Sequence, residues 1–177
     1  MYLDLDAVVR LARQAHSGQC DKLGRDYADG HLAPIAAAAH SFGQVAVQAA
    51  WLHDVMEDTA LTAEALLAAG VNPEVVSAVE SVTRIQGEKY VHLIERAAAH
   101  PVGRQVKLVD NAWNIVLNPE LAEIDPQRAS SMLTKRYVPA RQRLLAACGL
   151  DESAPLVQTI QRVLDGHRKE LRCAGTS

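Results

Sequence analysis

The sequence predicts an all-α protein of about eight to nine helices. Three observations carry that reading. Aromatic residues make up only 4% of the chain, alanine is abundant, and no long β-branched run is present, so intrinsic preference favours helix over strand. Apolar residues recur at the 3.6-residue period in segment after segment. Capping and stop residues punctuate those segments where helices should begin and end.

In the first helix, Leu5, Val8, Val9, Leu11, Ala12 and Ala15 share one face, and Asp4 or Asp6 is placed to cap its start. Residues 17–30 are polar and glycine-bearing and read as a loop. Two helices follow, over 32–42 and 44–57. Thr62 and Gly70 bracket a short helix as N-cap and C-terminal stop. Asn72-Pro73 opens the next, with asparagine capping and proline at the first helical position. Further helices read at 88–99, 104–116, 126–148 and 155–171. Pro139 lies inside the third of these four and should kink or split it.

The bulk numbers narrow the function. A length of 177 residues suits one domain, spanning 1–177. Net charge is −3, so nothing global points to nucleic acid or an anionic membrane, and a phosphate-bearing partner would need local cations or a metal ion. Cys20, Cys148 and Cys173 show no CxxC spacing and fit reduced thiols in a cytoplasm. No stretch approaches the ~20 apolar residues of a membrane span, and the N-terminus has no signal-peptide core. The expectation is a soluble cytoplasmic protein.

The segment WLHDVMEDT packs four ionisable residues into six positions after an almost wholly apolar run, VAVQAAWL. On a continuous helix at about 100° per residue, His53, Asp54, Glu57 and Asp58 would cover one arc of roughly 140°. Carboxylates ending a buried helix need partners, and a divalent cation is the strongest available. One imidazole with two or three carboxylates suits Mn²⁺, Fe²⁺ or Zn²⁺. His53 and Asp54 would supply two ligands. The remainder would come from His31, at a loop–helix junction, and Asp110, which follows apolar residues in VKLVDNAWN. An HD dipeptide alone is a weak motif.

HDVMEDT resembles the HD-V-x-EDT signature of the hydrolase domain of RelA/SpoT proteins and their small stand-alone relatives, the alarmone hydrolases. His16-Ser17-Gly18-Gln19 resembles that family's AH-x-GQ, and Lys22-x-Gly24 with Tyr27 its K-x-G…Y loop. Val82-Thr83-Arg84 is similar to VTK, Lys107-Leu108-Val109-Asp110 with Asn114 to KLAD-x-x-x-N, and Tyr137-Val138-Pro139-Ala140 to YAPLA. The similarity spans roughly residues 12–145. It implies an HD-domain helical bundle binding one divalent ion, Mn²⁺ before Fe²⁺ or Zn²⁺, through His31, His53, Asp54 and Asp110. It also implies that Glu57 and Asp58 orient or deprotonate the attacking water and that Asn114 meets the nucleotide sugar. The implied reaction is 3′-pyrophosphate removal from guanosine 3′,5′-bis(diphosphate). A phosphatase for NADPH or a nucleoside phosphate is the alternative within the class, and a non-catalytic nucleotide sensor the alternative outside it.

Beside such a site, Lys22 and Arg25 become phosphate contacts and Tyr137 a pocket wall. His16 reads as a helix C-terminal cap, Lys107 as a structural cation pairing nearby carboxylates, and Trp51 and Trp113 as packing behind the site. Four positions depart from the resemblance. The spacing from Tyr27 to His31 is one residue longer than usual, and Leu32 stands where proline is common. Asp21 aligns with a basic residue that stacks on the guanine, and Asn111 with an arginine.

Overall fold

The structure, a computed structural model, describes residues 2–174. It is all-helical there, and the only β-type pairing among the described residues is a single bridge between Cys20 and Asp26. The chain order is α1 (Leu5–Ala15), α2 (Ala33–Ala39), α3 (Gln44–Leu52), α4 (Val55–Asp58), α5 (Ala63–Ala68), α6 (Pro73–Val82) and α7 (Tyr90–Ala99). It continues through α8 (Gly103–Val116), α9 (Asn118–Ile124), α10 (Pro126–Met132), α11 (Val138–Ala147) and α12 (Pro155–Ala174). Two π-helical turns, Ala28–Leu32 and Leu133–Tyr137, lead into α2 and α11.

The predicted caps form as local chemistry requires. Asp4 accepts from the Ala7 N–H, Thr62 from Ala65 and Asn72 from Glu74, each satisfying an otherwise orphaned donor of the first turn. Gly70 ends α5 at φ +92°, a conformation that favours glycine.

Helix α8 is the hub. It packs against α2, α3, α6, α7, α11 and α12, and its faces belong to two cores. Val106, Val109, Ala112, Trp113 and Val116 join the main core with α1, α2, α3 and α6. Leu108 joins a smaller one with Ile94, Ala140, Leu144 and Val157. Buried alanines at 36, 38, 39, 46, 49 and 50 let α2 and α3 approach closely, while Leu32, Ile35 and Leu52 fill the space between neighbours. Each such fully buried branched side chain contributes about 1.5–3 kcal/mol. Helix α12 lies on α2 and α8 through one stripe, Val157, Ile160 and Leu164.

Three expectations change. The helix expected over 44–57 is broken at His53–Asp54. The His53 ring takes the Ala50 carbonyl at 2.7 Å, and Asp54, at φ −102°, ψ −3°, stays in the right-handed region but departs from ideal helical values. The four residues are therefore not on one continuous helix: His53 and Asp54 belong to a turn, and Glu57 and Asp58 to the one-turn helix after it. The helix expected over 126–148 divides into α10, a π turn and α11. Pro139 has no N–H to continue an α-helical ladder, and the wider turn precedes it. Helix α9 was not expected; Pro119 stands in its first turn as Pro73 does in α6, but Asn118 does not cap it and instead donates to the Ala129 carbonyl.

Gly103 begins α8 against α6. An added Cβ would overlap Ser81 Oγ and stand 3.2 Å from both Ser81 Cβ and His100 Cβ, forcing the Ser81 hydroxyl off the Ala78 carbonyl. Gly103→Ala should therefore lower unfolding free energy by ~1–3 kcal/mol, read from urea denaturation, despite the better helix propensity of alanine. A stability equal to the parent's would contradict this packing account.

Candidate metal centre

His31 comes from the π turn Ala28–Leu32, whose closing bond runs from the Ala33 N–H to the Ala28 carbonyl. The wide turn accommodates the extra residue between Tyr27 and His31. Single-residue insertions in helices characteristically take this form, often at functional sites. The turn is anchored from α8, where Trp113 Nε1 donates to the Gly30 carbonyl at 2.9 Å. Gly30 has no room for a side chain, because a Cβ would lie 2.6 Å from Asp21 Oδ2.

His53 caps the end of α3 and is 1% exposed. Its Nδ1–H donates to Ala50 O, which leaves Nε2 as the free ring nitrogen. That atom is buried without a hydrogen-bond partner. It is 2.9 Å from Asp54 Oδ2, close to the carboxylate yet off the line along which a ring N–H bonds. His31 Nε2 lies 3.1 Å from the same oxygen. Donor atoms of His31, His53 and Asp54 all fall within 4.8 Å of one another. An orphaned buried imidazole nitrogen beside a second imidazole and a carboxylate fits a divalent cation of the nitrogen- and oxygen-binding kind.

Asp110 stands at the margin of this group. Its Oδ1 is 3.7 Å from His31 Nε2. Both of its oxygens have other partners, Lys107 Nζ at 2.8 Å and Asn114 Nδ2 at 2.6 Å. The electrostatics are those of buried, mutually compensating charges. Burial opposes ionisation of Asp54, but His53 and His31 hold its carboxyl well below the usual range. Burial likewise opposes the Asp110 charge, and Lys107 beside it outweighs that cost. His53 is lowered by burial yet raised overall to about 9 by Asp54 and Asp110.

Glu57 and Asp58 sit on α4 at the exposed lip. Glu57 Oε2 accepts from the Arg84 N–H at 3.1 Å. Asp58 Oδ2 is 3.3 Å from the Tyr27 hydroxyl, which donates to Asp54 Oδ2 at 2.6 Å. Burial and then Asp54 push the Tyr27 phenol far up, so it stays a proton donor.

These groups open into one cleft of about 230 Å³. Lys22 reaches it, bonding Asn114 Oδ1 at 2.6 Å and Tyr137 OH at 3.1 Å, so Asn114 and Tyr137 also face the site. Arg25 is not brought there. Its guanidinium is bound by Asp21 at 3.0 Å and by Glu120 at 3.5 Å, away from the cleft lining. Asp21 does line the cleft, but its carboxylate is engaged: Oδ1 accepts from the Leu23 and Arg25 N–H groups and Oδ2 pairs with the Arg25 guanidinium. Asn111 is buried and holds the second π turn through the Tyr137 carbonyl. Arg84, Arg136 and Tyr90 line the cleft and were not singled out in the sequence. Only the basic residue of Val82-Thr83-Arg84 hinted at one of them.

No protein-family model matches the chain, and no curated protein matches its sequence. Among solved structures, the chain is similar to a metazoan ortholog of SpoT that hydrolyzes ppGpp and plays a role in starvation responses. The TM-score is 0.61 at 18% identity, covering 96% of this chain and 97% of that one. At that identity the likeness is one of fold, and it extends over nearly the whole of both chains.

Because His53 lies above its ordinary value of 6.5, its protonated form contributes stability that is complete below that pH and lost as pH rises through about 9. Protein stripped of divalent ions should accordingly lose on the order of 3 kcal/mol of unfolding free energy across this window, measured in urea. The loss should be absent in His53→Gln. Equal pH dependence in both proteins would contradict the assignment.

Proposed function

We propose that this protein is a divalent-metal-dependent phosphohydrolase acting on a nucleotide, with 3′-pyrophosphate removal from guanosine 3′,5′-bis(diphosphate) as the first assignment. The observation that carries the proposal is the convergence of His31, His53 and Asp54 donors within 4.8 Å on a buried, unpartnered imidazole nitrogen. The fold shared with a ppGpp-hydrolysing protein supports the choice of substrate.

In this reading His31, His53 and Asp54 hold the ion, with Asp110 as the fourth ligand, and Mn²⁺ is favoured over Fe²⁺ or Zn²⁺. The ion supplies Lewis acidity toward a phosphate oxygen and lowers the pKa of water. Glu57 and Asp58, at the lip beside the metal group, orient that water and accept its proton. The guanidinium groups of Arg84 and Arg136 form no ion pair with a carboxylate among the described residues and bind the phosphates, joined by Lys22. Asn114 and Tyr137 meet the sugar. Arg25 is withdrawn from the phosphate role and assigned to holding the loop. The three cysteines, without CxxC spacing, fit a reducing cytoplasm. No helix among the described residues is long and apolar enough to cross a membrane.

A second reading is favoured by one observation. Asp21, where the resembling family carries a cation, is consumed by Arg25 and the loop backbone, leaving no cation there to stack on a purine. A phosphatase acting on NADPH or a nucleoside phosphate would tolerate that change. The sensor reading is weaker, since a protein without turnover has no need of both Glu57 and Asp58.

Glu57→Gln and Asp58→Asn should each lower turnover by ~10²-fold or more while retaining the metal content of the parent. His53→Ala and Asp110→Ala should lose the metal itself. Mn²⁺-loaded protein should release pyrophosphate from guanosine 3′,5′-bis(diphosphate), with NADPH and nucleoside phosphates compared at equal concentration and Asp58→Asn as blank. Release from another nucleotide alone would transfer the assignment to the second reading. No release from any of them would overturn the proposal.

A further inference from the structure

The mechanism leaves one sequence motif unused, His16-x-x-Gln19, and one buried hydroxyl, that of Tyr27. The two are parts of one assembly. Four rings stand in a column from the protein interior to the metal group. His16 and Tyr27 stack at 4.9 Å and 22°, Tyr27 and His31 lie 5.1 Å apart, and His31 and His53 5.2 Å apart. His16, 1% exposed, is held by Gln19 Oε1 at 2.7 Å from its Nδ1. The other end of that amide, Nε2, donates to the Asp58 carbonyl at 3.0 Å. The Gln19 backbone carbonyl accepts the Tyr27 N–H at 3.0 Å. One glutamine thus ties the ring column, the Tyr27 backbone and the last residue of α4 together.

Tyr27 closes the assembly from the other side. Its single hydroxyl proton goes to Asp54 Oδ2, the oxygen that faces both histidine nitrogens, and the same hydroxyl is 3.3 Å from Asp58 Oδ2. Helix α4 has only one turn of its own, too short to be stable without tertiary support, and it carries both acidic residues.

Resting on the metal-hydrolase reading above, we infer that Tyr27 and Gln19 are positioning residues with separable tasks. Tyr27 aims the Asp54 oxygen at the cation and fixes its distance from Asp58. The Gln19 side-chain amide, besides holding His16, sets the place of Asp58 and makes no contact with the metal-ligand oxygen of Asp54. Groups that orient metal ligands in this way commonly carry a 10–100-fold effect on affinity or activity. A purely structural role would predict the opposite dependence: removing the phenolic oxygen while keeping the stacked ring would cost nothing at the site.

The test compares Tyr27→Phe and Gln19→Ala with the parent, measuring Mn²⁺ affinity by calorimetry on chelator-treated protein and kcat and KM separately. Tyr27→Phe should bind Mn²⁺ about tenfold more weakly and lose about tenfold in kcat with KM little changed. Gln19→Ala should keep Mn²⁺ affinity within about twofold while losing about tenfold in kcat. Circular dichroism and urea unfolding establish that each variant is folded; should Gln19→Ala not fold, Gln19→Glu, which keeps the acceptor for His16 and removes the donor to Asp58, takes its place. Unchanged Mn²⁺ affinity in folded Tyr27→Phe would overturn the Tyr27 assignment, and equal metal loss in both variants would overturn the division of tasks. A parent that neither binds Mn²⁺ nor hydrolyses nucleotide would instead overturn the functional reading on which the inference rests.

Discussion

One carboxylate oxygen organises this molecule's cleft. Asp54 Oδ2 has His53 Nε2 at 2.9 Å, His31 Nε2 at 3.1 Å and the Tyr27 hydroxyl at 2.6 Å. A carboxylate this enclosed is costly unless charge and hydrogen bonds surround it, and removing one partner of such a group typically costs several kcal/mol. The break between α3 and α4 follows from the same constraint. On a continuous helix consecutive side chains diverge by about 100°, whereas in the turn the buried His53 Nε2 and Asp54 Oδ2 come within 2.9 Å.

The surrounding architecture supplies the other partners from distant parts of the chain. Helix α8 brings Asp110 to the rim with Lys107 and Asn114 at its two oxygens, and through Trp113 it fixes the π turn that carries His31. Because α8 is also shared by both hydrophobic cores, the position of Asp110 is set by packing on several sides. The Asp21–Arg25–Glu120–Arg168 chain of ion pairs ties the first loop to α9 and α12. That chain keeps Arg25 out of the cleft lining and engages the carboxylate of Asp21, which does line the cleft, within the loop.

What could be read from the sequence was local. Asp4, Thr62 and Asn72 act within a turn of themselves, so their caps were legible, as was the stop at Gly70. His53, Asp54, Glu57 and Asp58 lie within six positions and were legible as a chemical cluster, though not in their true geometry, because the competition of His53 for the Ala50 carbonyl is invisible in a periodicity. His31, placed by its irregular spacing at a loop–helix junction, falls in a π turn beside His53 and Asp54. Arg25 and Arg136 show where the reading ran out. Arg25, expected at the phosphates, is drawn away by Asp21 and Glu120, and Arg136, which carried no expectation, lies over the Tyr90 ring at the cleft; the Glu120 and Tyr90 pairings span sequence separations that no local pattern encodes.

The most direct test of the account is anomalous diffraction from crystals grown with Mn²⁺. One strong peak is expected in bonding contact with His31 Nε2, His53 Nε2 and an oxygen of Asp54. One oxygen of Asp110 is further expected to leave Asn114 or Lys107 and join them. An ion located elsewhere in the cleft, or no ion at saturating Mn²⁺ with the two imidazoles unmoved, would contradict the assignment.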